Sequence, residues 1–85
     1  MLTGPVTIIG RGSESDIIVD DSGVSRRHLE IRLTAGHTVA TDLGSTNGTF
    51  VEGVRMDAAT LVNGNTITIG HTTIMFWDGS DEVSG

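Results

Sequence analysis

The chain has 85 residues, a formal net charge of −6 and no cysteine. Its length limits it to one small domain, and the missing cysteines exclude a disulfide framework and a thiolate zinc site. Eleven carboxylates against five arginines argue against bulk nucleic-acid binding. The apolar runs are far shorter than the roughly 20 residues of a membrane helix, and no signal segment opens the chain. We therefore expect a soluble, cytoplasmic protein that does not insert into membranes.

Apolar and polar residues alternate along most of the chain, and this period of two is typical of half-buried β-strands. In the stretch LEIRL, for example, Leu29, Ile31 and Leu33 would all face one side of a sheet. No stretch has the apolar spacing of a helix. In chain order, the predicted strands are residues 6–9, 17–19, 29–33, 38–42, 49–51, 66–70 and 72–77.

Twelve glycines and several clusters of Asp, Asn and Ser separate the predicted strands. Turn signals at intervals of about 8 to 12 residues are typical of a sandwich. We therefore predict an all-β protein, an antiparallel β-sandwich over residues 1–77. Its core should be mostly aliphatic, with the last strand, TTIMFW, supplying the bulk. Residues 78–85 should form a flexible acidic tail.

Three of the predicted loops carry polar residues that turn formation alone does not explain. They are Arg11 in GRGSES, Ser25 and Arg26 in GVSRRH, and Thr46 and Asn47 in GSTNG. If these loops converge, they offer guanidinium groups, hydroxyls, an amide and backbone N–H groups. That inventory suits a phosphorylated side chain, with its charge of about −1.5 to −2, together with a stretch of peptide backbone.

Other interpretations of the same residues are weaker. The loop GRGSES lacks the lysine and the following helix of a nucleotide-binding P-loop. Ser25, His28 and Asp42 include the residue types of a hydrolase triad, but VSRRH does not resemble the strained turn that activates a nucleophile. His37 and His71 lie in separate turns without ligand spacing, so we expect no metal site.

Two residues have a structural interpretation beside the functional one. His28 is expected to be half-buried and to hydrogen-bond the backbone of the loop that contains Ser25. Asn47 and Gly48 form a dipeptide typical of tight turns between strands, because both residues tolerate positive φ. A sandwich that uses these loops only for structure, or for phosphate-independent contacts with another protein, is the alternative to a phosphate site.

The stretches IGRGSESDIIVDDSGVSRRHLEI, DLGSTNGTFVEG and LVNGNTITIG together resemble a forkhead-associated (FHA) domain, and the resemblance covers residues 6–77. The wording VSRRHLEIR and STNGT is especially similar to FHA domains of actinobacterial proteins in Ser/Thr kinase signalling. The resemblance implies a β-sandwich that recognises phosphothreonine without catalysis and without a cofactor. The implied partner is a phosphothreonine-containing protein, either a Ser/Thr kinase or its substrate.

Carried over by position, the resemblance implies a role for each residue of the three loops. Arg11 and Ser25 would contact the phosphate, and Arg26 would contribute from the same loop as Ser25. Thr46 would bind phosphate or shape the pocket for the threonine methyl, and Asn47 would hydrogen-bond the peptide backbone. The residues implied to be architectural are Gly10, His28 and Gly48. Arg27 receives no role, because the alternation into HLEIR turns it elsewhere.

The chain departs from the family pattern in two ways. FHA domains usually have one or two strands before the strand that ends in IGR, but only residues 1–5 precede it here. We therefore expect one edge of the sandwich to be missing, replaced or supplied by another chain. Glu52 stands where the family often has asparagine, and Asn65 stands where it often has aspartate. Both changes should affect turn rigidity more than phosphate binding.

Overall fold

The computed structural model describes residues 6–77, so the predicted tail at 78–85 lies outside the described residues, as do residues 1–5. All regular elements within the described part are strands. Their bounds are β1 Val6–Gly10, β2 Ile17–Ile18, β3 Leu29–Thr34, β4 His37–Asp42, β5 Thr49–Val51, β6 Val54–Met56, β7 Ala58–Leu61, β8 Thr66–Ile69 and β9 Thr72–Met75.

The strands form two sheets. One sheet has the order β2-β1-β3-β4-β7 and the other has the order β6-β5-β8-β9. Neighbouring strands are antiparallel, except that β1 and β2 are parallel. The buried aliphatic side chains of both sheets pack into one core. The prediction of an all-β, antiparallel sandwich is therefore confirmed.

Two strands are absent from the prediction. The strand β7 was missed because it contains two alanines, which have low β propensity. It becomes a strand because it pairs with β4, from Thr38↔Leu61 to Thr41↔Ala58. The strand β6 is only three residues long and returns along β5 after a tight turn at Glu52 and Gly53. Both β6 and β7 therefore form because a neighbouring strand pairs with them, and not because their own sequence favours a strand.

The core is aliphatic, as expected, but the last strand does not supply its bulk. Met75 is 54% exposed and Trp77 is 61% exposed, while Ile74 and Phe76 are only partly buried against the core. The reason is that β9 is an edge strand and pairs only with β8 among the described strands. The buried apolar residues are Ile9, Val24, Leu29, Ile31, Ala40, Leu61, Ile67 and Ile69.

The strand directions divide the connections between two ends of the sandwich. Loops 11–16, 19–28, 43–48 and 70–71 leave one end, which we call the loop end. The short turns at 35–36, 52–53 and 62–65 lie at the opposite end, which we call the turn end. The five residues singled out for a phosphate and peptide site all belong to the loop end, namely Arg11, Ser25, Arg26, Thr46 and Asn47.

The two residues that differ from the pattern of the resembled family, Glu52 and Asn65, lie near each other at the turn end. Glu52 has a φ of 53°, in the left-handed region that favours glycine or asparagine. Its Oε2 accepts hydrogen bonds from the backbone N–H of Thr66 at 2.7 Å and from Asn65 Nδ2 at 3.3 Å. Asn65 Oδ1 in turn accepts the N–H of Val62 at 2.9 Å. The two unusual residues therefore bond to each other across adjacent turns.

Candidate functional site

Arg11 lies at the tip of the first loop and joins it to the second. Its Nε donates to the carbonyl of Val24 at 3.0 Å, and its backbone N–H donates to the carbonyl of Ser25 at 2.9 Å. The side chain is exposed, and its two Nη groups have no partner within residues 6–77. The guanidinium is therefore oriented by one bond while its terminal N–H groups are available to an anion.

Gly10 allows the first and second loops to approach each other. A Cβ at this position would lie 2.1 Å from the carbonyl oxygen of Arg26 and 2.8 Å from Ser15 Oγ. Ser15 Oγ donates to that same carbonyl at 2.8 Å, and the N–H of Gly12 donates to it at 3.0 Å. Any side chain at Gly10 would collide with backbone, so the loops could not keep this spacing.

Ser25 connects the second loop to the third. Its Oγ accepts a hydrogen bond from the backbone N–H of Thr46 at 3.2 Å. A hydroxyl that accepts in this way still has its own proton to donate. The Ser25 hydroxyl therefore lies beside the backbone of Thr46 at the loop end, where Thr46 is exposed and Ser25 is half-buried.

His28 is completely buried and bonds backbone groups on both sides. Its Nδ1 accepts the N–H of Ser25 at 3.0 Å, and its Nε2 lies 2.8 Å from the carbonyl oxygen of Gly48. A backbone N–H can only donate and a carbonyl can only accept, so the ring must be neutral with its proton on Nε2. The imidazole thus links the loop that holds Ser25 to the loop that holds Asn47.

Asn47 and Gly48 do not form a hairpin turn, because they connect β4 in one sheet to β5 in the other. Gly48 alone of the two has positive φ, at 89°. Asn47 Nδ2 donates to the carbonyl of Gly23 at 2.9 Å. This bond uses one amide proton and leaves the second proton and Oδ1 exposed, as a peptide backbone contact requires.

Asp42 fixes the shape of the third loop. Its Oδ1 accepts from the hydroxyls of Ser45 at 2.6 Å and Thr49 at 2.7 Å, and its Oδ2 accepts from the backbone N–H groups of Gly44 and Ser45. Partial burial alone would raise the pKa of this carboxyl, but the hydrogen bonds outweigh it, and the pKa is lowered overall. Asp42 is therefore held ionised as a loop brace.

The residues Ser25, His28 and Asp42 do not form a hydrolase triad. A triad needs the serine hydroxyl bonded to an imidazole nitrogen, whereas His28 Nδ1 accepts the backbone N–H of Ser25 instead. His28 Nε2 is 3.9 Å from Asp42 Oδ1, and its proton is directed to Gly48. The same three residues instead brace the loops. Within residues 6–77, no group of three His, Cys, Asp or Glu could hold a metal ion.

Asp21 is part of the site structure that the sequence does not reveal. Its carboxylate accepts the N–H of Gly23, and across 50 residues of sequence it accepts the N–H of His71 at 2.7 Å. It also accepts the hydroxyl of Thr72 at 2.7 Å, and His71 Nδ1 lies 3.2 Å away. These bonds, that from Thr72 above all, hold the pKa of Asp21 well below its usual range.

The only signal for this contact in the sequence is a pair of glycines. A Cβ at Gly70 would lie 2.8 Å from the carbonyl carbon of Gly23, so the two backbones touch where Asp21 bonds to His71. Gly23 is also the residue whose carbonyl accepts from Asn47. Asp21 therefore positions Gly23, and the carbonyl of Gly23 in turn orients the side chain of Asn47, which is the proposed peptide contact.

Arg26 and Arg27, adjacent in the sequence, have different surroundings. Arg26 Nη2 lies 3.1 Å from Glu14 Oε1, and both side chains are largely exposed, at 66% and 46%. A ligand phosphate would have to share or displace this carboxylate. Arg27 is exposed and forms no hydrogen bond or ion pair within residues 6–77. Nothing in the structure assigns it a role.

The molecule is thus a β-sandwich whose loop end gathers exposed guanidinium, hydroxyl and amide groups from three cross-bonded loops. A family model for the FHA domain matches residues 7–70, which span the whole of this site. The match covers more than half of the chain, so the chain belongs to the FHA family. Residues 6–77 contain no helix that could span a membrane.

Several known proteins are similar to this chain. The glycogen accumulation regulator GarA of Mycolicibacterium smegmatis is 44% identical over 79 residues, which are 93% of this chain and 50% of that protein. The chain therefore spans about half the length of this curated relative. A second relative is named as the oxoglutarate dehydrogenase inhibitor of Corynebacterium glutamicum, with 42% identity over 96% of this chain and 57% of the relative.

The solved structures give the same result. One, from a study of phosphothreonine-dependent FHA domain interactions, has a TM-score of 0.84 and 42% identity, covering 87% of this chain and 77% of that chain. Both the sequence and the fold of this chain are therefore similar to those of an FHA domain studied for phosphothreonine-dependent interactions.

Proposed function

We propose that this chain is a non-catalytic module that binds phosphothreonine in a partner protein. The observation that carries the proposal is the joining of three loops, which brings the polar groups of Arg11, Ser25, Thr46 and Asn47 to one end of the sandwich. The family match and the similarity to a domain studied for phosphothreonine-dependent interactions support it. Relatives named as a regulator and an inhibitor favour a role without catalysis.

The proposed phosphate ligands are Arg11, Ser25, Arg26 and Thr46. Arg11 offers its terminal N–H groups, and Ser25 offers its hydroxyl proton. Arg26 turns from Glu14 to the phosphate, because a dianion with three strong acceptor oxygens attracts the guanidinium more than one exposed carboxylate does. Asn47 would hold the peptide backbone. Gly10, His28 and Gly48 would keep the loops in place.

The expected affinity follows from the number of charged hydrogen bonds. Three such bonds at about 1.5 to 3 kcal/mol each give about 5 to 9 kcal/mol before the losses of ordering and association. Before those losses, this range corresponds to dissociation constants from about 0.2 mM to about 0.3 μM, so we expect roughly micromolar binding and not picomolar binding. The phosphate group would therefore decide whether a peptide binds, and the neighbouring residues would adjust its affinity.

The proposed partner follows from the chemistry of the ligand. Phosphothreonine is the product of a Ser/Thr kinase, so the partner is such a kinase or one of its substrates, and the module acts in kinase-dependent signalling. A solved structure of Mycobacterium tuberculosis EmbR, with 37% identity, a TM-score of 0.83 and coverage of 87% of this chain and 20% of that chain, contains a low-affinity phosphopeptide. We place this function in the cytoplasm, and it requires no cofactor.

The test is to titrate the chain with one peptide in its phosphothreonine, phosphoserine and unmodified forms and to measure each affinity by isothermal titration calorimetry. The phosphothreonine form should bind best and the unmodified form should not bind measurably. Arg11→Ala should weaken binding of the phosphothreonine peptide at least tenfold. Arg32→Ala is the matched control, because Arg32 pairs with Glu30 on the surface of β3. Equal affinity for all three peptides would contradict the proposal.

A phosphate-independent interaction sandwich remains the second candidate, and the net charge of −6 favours it because it disfavours anionic ligands. The two candidates differ in one measurement. Capture of a partner that survives both Arg11→Ala and phosphatase treatment would favour the second candidate, whereas loss on either treatment would favour the first.

A further inference from the structure

Arg55, on β6, has no ion-pair partner in the described part of the chain, and the same is true of Arg27. Among the other arginines, Arg26 lies 3.1 Å from Glu14 and Arg32 lies 3.3 Å from Glu30. Arg55 is exposed and forms no hydrogen bond or ion pair within residues 6–77. An arginine that has no carboxylate partner among the described residues can bind an anion from outside the molecule.

The guanidinium of Arg55 lies against the third loop. A Cβ at Gly48 would be 2.8 Å from Arg55 Nε, 3.0 Å from Cζ and 3.3 Å from Nη2. The group therefore covers the bare backbone of Gly48, directly after Asn47 in the chain. Only glycine leaves room for this contact, and the φ of 89° at Gly48 independently favours glycine.

The surface beneath the guanidinium is fixed by hydrogen bonds. The N–H of Gly48 donates to Ser45 Oγ at 2.9 Å, and its carbonyl accepts from His28 Nε2 at 2.8 Å. Because His28 is fully buried, this backbone cannot easily move. Arg55 thus lies against a loop surface that is itself fixed, so the loop needs little ordering when a ligand binds beside it.

We infer that Arg55 selects an acidic side chain in the bound phosphopeptide, an inference that rests on the proposed function. Arg11 and Arg26 belong to the first and second loops and supply positive charge to the phosphate, whereas Arg55 packs on the third loop. A peptide backbone bonded to Asn47 brings its flanking side chains near Arg55. A carboxylate there matches the guanidinium fork.

The size of the effect follows from the exposure of the pair. Exposed ion pairs contribute modestly and are screened by salt, so a glutamate at the selected position should strengthen binding by about two- to fivefold over glutamine at low salt. The experiment measures fluorescence anisotropy with labelled phosphothreonine peptides of alanine-rich background. Each flanking position carries glutamate or glutamine in turn, and each peptide is titrated with the wild-type chain, Arg55→Gln and Arg32→Gln.

The wild type should prefer glutamate at one or two positions, and Arg55→Gln should lose that preference while still requiring the phosphate. Arg32→Gln should keep the preference, because Arg32 is paired with Glu30 on another sheet. A glutamate preference that survives in Arg55→Gln, or a wild type without any preference, would overturn the inference and leave the proposed function intact. Binding of no phosphopeptide by the wild type would instead overturn the proposed function, and the inference with it.

Discussion

The two ends of the sandwich are stabilised in different ways. At the loop end, side chains join residues that are distant in the sequence, such as His28 with Gly48 and Asp21 with His71. At the turn end, the connection between β3 and β4 consists of two residues, Ala35 and Gly36, both with positive φ. The loop end thus depends on a network of tertiary contacts made by buried and half-buried side chains. The turn end depends on the conformation of individual residues and on the exposed bonds of Glu52 to the neighbouring turn.

This difference explains why exposed polar groups at the loop end can be well positioned. Loops are usually the mobile part of a sandwich, and a binding site needs ordered groups. Here the ordering comes from buried or half-buried polar residues, namely His28, Asp42 and Asp21, whose bonds lie beneath the exposed groups. Substitutions of these residues should therefore weaken both stability and binding, while changes at the turn end should alter stability alone.

The largest effect should come from His28→Ala. The substitution leaves a cavity and removes the partners of the Ser25 N–H and the Gly48 carbonyl, so we expect a loss of about 3 to 5 kcal/mol in the free energy of unfolding. Urea denaturation followed by tryptophan fluorescence measures this loss. His37→Ala is the matched control, because His37 is exposed at the turn end. Similar losses in the two variants would contradict the difference between the ends.

Asp21→Asn should give the second largest effect. The amide replaces one acceptor oxygen by a donor that faces the N–H groups of Gly23 and His71. We expect a lower Tm and phosphopeptide binding weakened about three- to tenfold, because Gly23 no longer holds Asn47 in place. Asp20→Asn is the control, since Asp20 is exposed and its side chain has no partner in the described part of the chain. Equal binding by both variants would remove Asp21 from the positioning network.

The contribution of Asp21 to stability should also be visible in how the free energy of unfolding depends on pH. The pKa values of Asp21 and Asp42 are lower in the folded protein than in the unfolded chain. An aspartate in the unfolded chain has a pKa of about 4. The stabilising contributions of both residues are therefore complete above that pH and are lost as the pH falls below it. The stability of Asp21→Asn, measured by urea denaturation, should depend less on pH than that of the wild type between about pH 5 and pH 3.

The same distinction explains how much could be predicted from the sequence. Alternation in LEIRL and TITIG correctly predicts β3 and β8, because a half-buried strand leaves its period in the local sequence. The strand β7 leaves no such mark, since AATL is a strand only because β4 lies beside it. The sandwich architecture can therefore be predicted from the alternation of apolar and polar residues. A strand that forms only because it pairs with its neighbour cannot be predicted in this way.

The site divides along the same line. Arg11, Ser25, Thr46 and Asn47 could be selected from the sequence because polar residues in loops need an explanation beyond the turn itself. The bond between Asp21 and His71 could not be predicted, because it depends on how the two sheets pack. The ion pair of Arg26 with Glu14 and the contact of Arg55 with Gly48 likewise required side-chain positions. The sequence therefore indicates which residues a ligand can contact more readily than it indicates which residues hold those contact residues in position.

The smallest effect should come from the turn end, at Ala35. Its φ of 49° is disfavoured for alanine, whereas Asn-Gly is the preferred dipeptide in a two-residue turn with positive φ at both positions. Ala35→Asn should therefore raise the free energy of unfolding by about 0.5 to 1 kcal/mol. Gly36→Ala should lower it by about 1 kcal/mol through backbone conformation alone, because nothing lies within 4 Å of the added Cβ. Urea denaturation measures both, and phosphopeptide affinity should be unchanged in each variant. A change in affinity would show that the two ends are coupled, since the turn contributes no residue to the proposed site.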